Sequence, residues 1–328
     1  MWAGREVLVT GGGGFIGSHL VESLLRQGAR VRVLELYTPE GSWGWLDTLE
    51  PTPPALDVRL GTITDADLVR RTMDGVDTVF HLAALVGIPY SYVAPAHCVD
   101  VNVVGTLRVL EAARDVGVRR VVHTSTSECF GTAQYVPMDE QHPLVAQSPY
   151  AATKVAADQL AGSFFRSFAT PVVTLRPFNT FGPRQSRRAV LPTIVAQLLV
   201  GREVRLGNTT PVRDLTYVAD TVEAFLAAGA TDGVEGETFV VGTGEGWSVA
   251  QLVTLVGELL GVAPVVRTDP ARLRPATSEV DRLVCDPSKA LRALGWKART
   301  PFREGLAATV EWLRSRPRPW SGSDDYVI

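Results

Sequence analysis

The sequence predicts an α/β protein in which the first half forms a doubly wound parallel sheet and the second half adds a smaller C-terminal lobe. Two observations support this fold class. Short β-branched segments alternate with stretches of helical periodicity up to about residue 177, and the predicted strands are apolar almost throughout, as in strands that helices cover on both faces. With 328 residues, 45% of them hydrophobic, the chain is long enough for a large core.

Six strands and four helices are predicted in the first half. The strands, short and rich in β-branched residues, cover 6–10, 30–36, 58–60, 77–83, 120–125 and 171–177. The helices, with apolar residues recurring every three or four positions, cover 15–27, 65–73, 96–116 and 149–168. Residues 1–176 are therefore assigned to one domain built around the parallel sheet.

The alternation weakens after residue 177. A Pro- and Arg-rich loop (177–192) leads into further predicted elements, which are helix 190–200, helix 217–229, strand 237–241 and helix 248–260. Another Pro/Arg-rich segment (264–287) and two short helices complete the chain. We expect residues 177–328 to form mainly a substrate-binding lobe, with helix 217–229 returning to the first domain.

Composition argues against several classes of function. The net charge of −3 gives no electrostatic basis for binding nucleic acid or a membrane surface. The three cysteines (Cys98, Cys129 and Cys285) and the five histidines show no disulfide or metal-ligand spacing. No apolar segment approaches the roughly 18 residues of a membrane span, and the N-terminus runs directly into a strand. We therefore expect a cytoplasmic protein without a signal peptide, a membrane span or a metal.

A glycine loop follows the first predicted strand and opens the first helix. Gly11, Gly14 and Gly17 form a G-x-x-G-x-x-G pattern, in which backbone N–H groups can contact a pyrophosphate at the positive end of the helix. Glu35 follows the second strand, where a carboxylate binds the adenosine ribose and repels a 2′-phosphate. A simple turn would also use glycines, but loop, helix and acid together predict a Rossmann-type site for NAD rather than NADP.

The segment SPYAATK places a tyrosine and a lysine one turn apart at the start of helix 149–168. Ser148 is a suitable N-cap, and Tyr150 and Lys154 are then at positions i and i+4 on one face. A cation at about 4 Å and an effective dielectric constant of about 20 contributes about 4 kcal/mol, or about three pKa units. The pair therefore predicts a tyrosine base with a lowered pKa, although such pairs also occur on ordinary surfaces.

The segment TSTSECFG follows an apolar strand with a row of polar side chains. Thr126, Ser127 and Glu128 are consecutive, and buried polar groups cost free energy unless they are paired. A polar loop after a strand is the simpler interpretation. Beside the glycine loop and the tyrosine–lysine pair, however, the row indicates proton transfer to and from a substrate.

Together these motifs resemble the extended short-chain dehydrogenases/reductases, in the NAD-dependent nucleotide-sugar epimerase/dehydratase family. The similarity is greatest to bacterial 4,6-dehydratases of nucleotide-linked N-acetylglucosamine. It covers most of residues 7–220 and continues in RLRPATSEVDRL near the C-terminus. The matching segments are TGGGGFIGSHL, HLAA, NVVGT, TSTSECFG, SPYAATK, RPFNTFGPRQ and RDLTYVAD.

The resemblance implies a catalytic role for five residues. Tyr150 would remove the proton of the sugar C4 hydroxyl, with Lys154 holding the cofactor ribose and lowering the tyrosine pKa, and Thr126 would bind the same hydroxyl. Hydride would pass from C4 to NAD. In a dehydratase, Glu128 would then remove the C5 proton and Ser127 would assist loss of the C6 hydroxyl before hydride returns to C6. Acid–base catalysis of this kind contributes about 10²- to 10⁴-fold.

The resemblance also implies two sets of binding residues and an assembly. Besides the two catalytic residues Tyr150 and Lys154, the expected NAD contacts are Gly11, Gly14, Phe15, Ile16, Gly17, Glu35, Thr62, Ile63, Leu82, Ala83, Ala84, Asn102 and Pro177. The expected contacts to the nucleotide sugar are Ser91, Asn179, Arg213 and Arg274, with Arg187 and Arg184 as weaker candidates. Helices 96–116 and 149–168 correspond to those that pair in dimeric relatives, so we expect a homodimer.

Other functions remain compatible with the sequence. A 4-epimerase shares the oxidation step and needs no second acid/base pair, whereas a UDP-glucuronate decarboxylase has the same Thr-Ser-Glu row. An NAD-sensing regulatory protein on the same fold would not need Tyr150 and Lys154. The row also departs from the family pattern, with Phe130 where tyrosine is usual and Cys129 where valine is usual. We expect Cys129 to be a small buried residue rather than a nucleophile.

Overall fold

The computed structural model describes residues 1–316, which contain thirteen strands and eleven α-helices. The first six strands are β1 (Glu6–Thr10), β2 (Arg30–Leu36), β3 (Leu56–Gly61), β4 (Thr78–His81), β5 (Arg120–Thr124) and β6 (Val172–Pro177). The later seven are β7 (Asn179–Phe181), β8 (Glu203–Leu206), β9 (Val212–Tyr217), β10 (Thr238–Val241), β11 (Gly246–Ser248), β12 (Val265–Thr268) and β13 (Arg282–Leu283). The seven strands predicted from sequence are all present.

Seven strands form one parallel sheet in the order β10-β6-β5-β4-β1-β2-β3. The chain proceeds from β1 outward to β3 and then crosses to β4 on the other side of β1. In open parallel sheets, ligands bind at the carboxyl ends of the strands beside such a reversal. The predicted Rossmann-type, doubly wound sheet is therefore confirmed, and the glycine loop after β1 lies at the reversal.

The α-helices connect the strands, and several of them cover the two faces of this sheet. The first six are α1 (Phe15–Arg26), α2 (Ala66–Met73), α3 (Ile88–Val93), α4 (Pro95–Val99), α5 (Thr106–Val116) and α6 (Pro149–Phe168). The later five are α7 (Val190–Val200), α8 (Val218–Ala230), α9 (Val249–Leu260), α10 (Ser288–Leu294) and α11 (Phe302–Ser315). No helix within residues 1–316 is long and apolar enough to cross a membrane.

Each face of the sheet has its own core. On one face, Leu24 of α1 and Phe225 of α8 pack with Phe80 of β4. On the other, side chains of α2, α5 and α6, among them Leu110 and Phe164, pack against β4 and β5. All five side chains are at most 6% exposed, and each contributes about 1.5–3 kcal/mol on burial. These cores hold α1 and α6, the two helices that carry the predicted glycine loop and tyrosine–lysine pair.

The predicted helix 96–116 is interrupted. It comprises α4, a π-helical segment over Asp100–Gly105 and α5. Within the π-helical segment, Asn102 is hydrogen-bonded to the backbone of Leu85, and Gly105 lies against Ile63, where a Cβ would approach the Ile63 Cδ1 to 2.5 Å. Side-chain bonding and close packing thus replace the regular helical repeat at this position, which periodicity alone does not reveal.

The second half of the chain contributes to two regions. Strand β10 pairs with β6 at the edge of the large sheet, and α8 and α10 pack against that sheet. Four of the remaining strands form a smaller sheet, with β9 between β11 and β13 and β7 pairing with β9, and β8 and β12 form a separate two-stranded sheet. Its core includes side chains of α7, α9 and α11. The last residues of the predicted lobe, 317–328, lie outside the described residues.

Candidate active site

The glycine loop joins β1 to α1 at the carboxyl end of the sheet. Gly11 has a φ of +70°, and a Cβ there would lie 2.9 Å from the backbone of Ala83. Gly17 is packed against the carbonyl oxygen of Gly11, so it also has no room for a side chain. Gly14 is exposed and is the N-cap of α1, whose first turn has no side-chain cap. The uncapped N–H groups at this positive helix end, around Phe15 and Ile16, fit a pyrophosphate.

The Glu35 carboxylate lies beside this loop. Its Oε2 accepts a hydrogen bond from the Gly13 N–H at 2.6 Å, and burial raises the pKa of the carboxyl group despite this bond. The carbonyl of Gly13 accepts from the Trp45 N–H at 2.9 Å. Glu35 is thus fixed at the carboxyl end of β2, where the sequence placed a ribose-binding acid.

The other expected cofactor contacts lie at the same edge of the sheet. Ala83 follows β4 and donates its N–H to the Thr10 hydroxyl at 3.2 Å, while the Leu82 N–H donates to the Thr10 carbonyl. The Ile63 side chain is only 5% exposed and packs into the core, so it offers little surface to adenine. The remaining residues of this set lie beside strand ends that meet at this edge, and they are Thr62, Ala84 and Pro177.

The Asn102 side chain is hydrogen-bonded within the protein, and its contact to the cofactor stays a prediction. Its side-chain oxygen accepts from the Leu85 N–H at 2.8 Å, and its amide donates to the Leu85 carbonyl at 3.1 Å and to the Thr153 hydroxyl at 3.0 Å. The side chain is 1% exposed. Because its hydrogen bonds are used within the protein, Asn102 joins the loop after β4 to α6.

The row of polar residues forms a short 3-10 turn over Ser127–Phe130, directly after β5. Thr126 is its N-cap, and the Thr126 hydroxyl accepts from the Glu128 N–H at 3.3 Å. Ser127 is 2% exposed, whereas Glu128 is half-buried. The turn therefore presents the Glu128 carboxylate at the carboxyl end of the sheet, close enough to Tyr150 and Arg213 to affect the pKa of both.

Helix α6 begins as predicted, with the Ser148 hydroxyl accepting from the Ala151 N–H at 3.1 Å. Tyr150 and Lys154 are buried one turn apart, and the Lys154 Nζ donates to the Thr124 carbonyl at 2.6 Å. Burial raises the pKa of Tyr150, and the nearby Glu128 carboxylate raises it further. A hydrogen bond with Thr126 lowers the pKa and partly offsets these two effects. The expectation of a lowered tyrosine pKa is thus wrong for the protein alone, because desolvation outweighs any effect of the lysine.

The sequence did not identify a buried ionic network beneath this turn. The Asp158 carboxylate on α6 accepts from His123 at 3.0 Å, from Ser125 at 2.5 Å and from Arg176 of β6 at 2.7 Å. Burial acts to raise the pKa of Asp158, but these hydrogen bonds and the Arg176 charge outweigh it and hold the pKa far below its usual value. Asp158 was identifiable from its position on α6, four residues after Lys154 on the same helix face.

Two of the expected substrate contacts, Arg213 and Arg274, form ion pairs with the same glutamate, which was not predicted. Arg213 of β9 and Arg274 lie 3.8 and 3.6 Å from the same Glu279 oxygen. Burial lowers the pKa of Arg213, and the carboxylates of Glu128 and Glu279 act against this effect. Charges on the Glu128 turn and around Arg274 thus both act on the Arg213 guanidinium. Glu279 belongs to the quoted RLRPATSEVDRL segment, but nothing in its spacing indicated this bridge.

The other expected substrate contacts differ in burial and in hydrogen bonding. Asn179 on β7 has a buried side-chain oxygen without a hydrogen-bond partner, as expected of a group that receives a ligand. Ser91 is wholly buried and donates its hydroxyl proton to the Ile88 carbonyl at 2.7 Å. Its role in substrate binding stays a prediction. Arg187 is exposed on the loop before α7. Arg184 forms an ion pair with Glu22 of α1 at 2.6 Å and so anchors this loop.

Phe130 and Cys129, the two departures from the family pattern, are both wholly buried. The Arg176 guanidinium lies over the Phe130 ring, 4.7 Å from its centroid. Burial raises the pKa of the Cys129 thiol to about 12, which confirms a buried small residue rather than a nucleophile. No cluster of three histidine, cysteine or acidic side chains capable of holding a metal occurs within residues 1–316.

Comparisons with known proteins show which family the chain resembles. A protein-family model described as GDP-mannose 4,6 dehydratase matches residues 8–309. A UDP-glucose 4-epimerase from Mycolicibacterium smegmatis is 35% identical over 319 residues, which are 95% of this chain and 99% of that protein. A dTDP-glucose 4,6-dehydratase from Streptomyces antibioticus is 35% identical over 323 residues, which are 96% of this chain and 94% of that protein.

A solved structure shares the whole architecture. DesIV, a dTDP-glucose 4,6-dehydratase from Streptomyces venezuelae crystallised with NAD and TDP, superposes with a TM-score of 0.85 at 33% identity. The match covers 94% of this chain and 97% of that chain. Both the large sheet and the second lobe therefore have counterparts in an enzyme of known ligands.

Proposed function

Because the chain belongs to the NAD-dependent nucleotide-sugar epimerase/dehydratase family of extended short-chain dehydrogenases/reductases, we propose that it is a nucleotide-sugar 4,6-dehydratase. Its substrate would be a nucleoside diphosphate hexose or N-acetylhexosamine. The observation that carries the proposal is the position of Glu128, whose half-buried carboxylate lies close to Tyr150 and Arg213 on a turn capped by Thr126. A reaction that ended with oxidation and reduction at C4 would not require this second acid/base group.

The residues at the carboxyl end of the sheet fit NAD. The glycine loop and the uncapped start of α1 would hold the pyrophosphate, and the fixed Glu35 carboxylate would bind the adenosine ribose. When bound, NAD supplies the hydride acceptor for C4 and the hydride donor for C6, and its charge favours the tyrosinate. The negative charge of Glu35 disfavours a 2′-phosphate, which selects NAD over NADP.

In the oxidation step, Tyr150 takes the proton of the C4 hydroxyl and Thr126 binds the same oxygen. The hydrogen bond between Thr126 and Tyr150 places the two groups together. Lys154, buried one turn along α6 and fixed to the Thr124 carbonyl, is the cation that the chain itself provides beside Tyr150. This arrangement orients the tyrosine oxygen toward the same edge of the sheet as the glycine loop.

In the elimination step, the C4 ketone makes the C5 hydrogen acidic. Glu128 removes this proton, and Ser127, the preceding residue of the turn, assists departure of the C6 hydroxyl as water. Both roles depend on the 3-10 turn that places them after β5. Arg213 and Arg274, which already share a carboxylate partner in Glu279, would bind the diphosphate through their guanidinium groups, with Asn179 nearby in β7.

A 4-epimerase is the second candidate, because the Mycolicibacterium smegmatis relative bears that name at 35% identity. The oxidation residues Tyr150, Lys154 and Thr126 would serve it equally. Glu128 and Ser127 would then have no chemical step to perform. We therefore rank epimerisation second.

We also propose that the protein is a cytoplasmic homodimer. Support for pairing comes from exposed apolar side chains near the start of one of the two helices expected to pair, helix 96–116, including Val93 at 67% and Val99 at 45% exposure. The three cysteines are free and buried, as in proteins of a reducing compartment. Sedimentation at micromolar concentration tests the assembly, and a monomer would contradict it.

The proposed reaction is tested by product mass. The protein is incubated in deuterated water with NAD and, separately, with dTDP-glucose, UDP- and GDP-N-acetylglucosamine and UDP-glucuronate. Loss of water from a hexose substrate with one deuterium retained at C5 supports the dehydratase. An isomer of unchanged formula identifies the epimerase, and loss of carbon dioxide identifies a decarboxylase. Either of these two results, without water loss, contradicts the proposal.

A further inference from the structure

The helix that carries Tyr150 and Lys154 bears a third buried polar residue on the same face. Asp158 is one turn beyond Lys154 and is 8% exposed. The two Asp158 oxygens accept hydrogen bonds from three side chains. The donors are His123 of β5, Ser125 directly after β5 and Arg176 of β6. Nothing in the proposed proton transfers uses Asp158, so its cost of burial requires another explanation.

Arg176 of β6 links Asp158 to the catalytic turn. Its Nη2 donates to Asp158 at 2.7 Å and its Nε donates to the Ser125 hydroxyl at 3.1 Å. Its guanidinium plane lies over Phe130, the last residue of the 3-10 turn, at 4.7 Å from the ring centroid. The turn is therefore held at both ends, by Ser125 just before Thr126 and by the ring of Phe130.

We infer that Asp158 and Arg176 are positioning residues that align the Glu128 turn with helix α6. The inference rests on the proposed dehydratase function. Tyr150 acts in oxidation and Glu128 acts in elimination, yet the two lie on different elements. The Asp158–Arg176 ion pair is a direct side-chain link between these elements, because Asp158 is on the tyrosine helix and Arg176 contacts the last residue of the glutamate turn.

The link has an unequal effect on the two steps. Thr126, which serves oxidation, begins the turn and is additionally hydrogen-bonded to Tyr150 of α6, whereas its bond to the Glu128 N–H holds only the backbone of that residue. The end of the turn depends on Phe130, whose ring packs between Arg176, His142 and Phe178. Loosening Phe130 therefore lets the Glu128 carboxylate move relative to the substrate C5 while Tyr150 and Lys154 remain in place on α6. Elimination is expected to slow more than oxidation.

The test measures both steps in single turnovers with the substrate that the wild-type protein dehydrates. Reduced nicotinamide absorbance reports oxidation at C4, and quenched samples analysed by mass report water loss. The variants are Phe130→Leu, which removes the aromatic face, Arg176→Lys, which removes the planar guanidinium, and Phe130→Tyr, which retains the ring. The control is Thr174→Val. Thr174 lies two residues before Arg176 on the same face of β6, and both side chains line a cavity of about 200 Å³.

We expect Phe130→Leu and Arg176→Lys to slow water loss about tenfold while oxidation changes less than twofold, so that reduced nicotinamide accumulates. Phe130→Tyr and Thr174→Val are expected to retain both rates within about twofold. Equal slowing of both steps in Phe130→Leu, with a lowered melting temperature, would show a merely structural role and overturn the inference while leaving the proposed function intact. If the wild-type protein eliminated water from none of the nucleotide sugars, the proposed function would fail, and this inference with it.

Discussion

The Gly13 N–H donates a hydrogen bond to the Glu35 carboxylate at 2.6 Å, and this bond joins the glycine loop to the end of the neighbouring strand β2. The carboxylate is therefore held in one position before any ligand arrives. Burial raises the pKa of the carboxyl group, so keeping it ionised costs free energy, and we expect a charge retained at this cost to have a function. We propose that this carboxylate serves to recognise the cofactor ribose.

Replacing Glu35 with glutamine should reduce the preference for NAD over NADP at least tenfold. The amide retains an acceptor for Gly13 but removes the charge that repels a 2′-phosphate. Dissociation constants for both cofactors, measured by calorimetry, check this. The control is Asp57→Asn on β3, which removes an exposed carboxylate away from the loop. An unchanged preference in Glu35→Gln would show that Glu35 does not select the cofactor.

Replacing Asn102 with alanine should lower the free energy of unfolding by about 2–4 kcal/mol, because the three hydrogen bonds of this buried side chain are lost and their partners remain unpaired. Denaturant unfolding without added cofactor measures this. Ser91→Ala, which loses one buried bond to the Ile88 carbonyl, should cost about 1 kcal/mol. If Asn102→Ala unfolded normally but bound NAD poorly, Asn102 would be a direct cofactor contact after all.

Stability should fall as the pH is lowered from 7.5 to 5. Burial lowers the pKa of His81 and His123, so the unfolded chain binds more protons than the folded protein below about pH 6.5. The contribution of the two neutral histidines to the free energy of unfolding is complete above that pH. On acidification it decreases by up to about 1.4 kcal/mol per pH unit for each histidine. Denaturant unfolding at three pH values should show a smaller slope in His81→Gln. Equal slopes in His81→Gln and the exposed control His97→Gln would refute the assignment.

Replacing Arg274 with lysine should raise the KM for the nucleotide sugar about tenfold and change kcat less. Lysine keeps the charge but loses the planar fork that suits a diphosphate. Steady-state kinetics at two salt concentrations check the effect, with the exposed Arg282→Lys as control. A fall in kcat at constant KM would place Arg274 in catalysis instead of binding.

The sequence predicted most of the fold because its signals are local. Alternating strands and helices, the glycine loop and the Ser148 cap of α6 all depend on neighbouring residues, and all appear in the structure. The interrupted helix near Asn102 was missed because its cause is a bond to Leu85, 17 residues away. The edge strand β10 was assigned to the second lobe because pairing with β6 cannot be inferred from its own composition.

The residues proposed as catalytic were selected from the sequence by type and spacing, but their environment could not be predicted. The spacing of Tyr150 and Lys154 placed both on one helix face, yet the direction of the tyrosine pKa depends on how much water surrounds it. Ser91 was named as a substrate contact, although only the tertiary structure shows that it is buried against its own helix. The ion pairs of Glu279 and Arg176 could not be predicted because their partners are distant in the chain.

The role of Glu128 in elimination is the central claim, and Glu128→Gln tests it most directly. The amide keeps the size of the side chain but cannot take the C5 proton, and loss of such a base costs about 10²- to 10⁴-fold. In deuterated water with NAD and the wild-type substrate, we predict that Glu128→Gln oxidises C4 at a rate near that of the wild-type protein, accumulates reduced nicotinamide and releases water at least a hundredfold more slowly. Water loss at the wild-type rate, with normal deuterium at C5, would contradict the account.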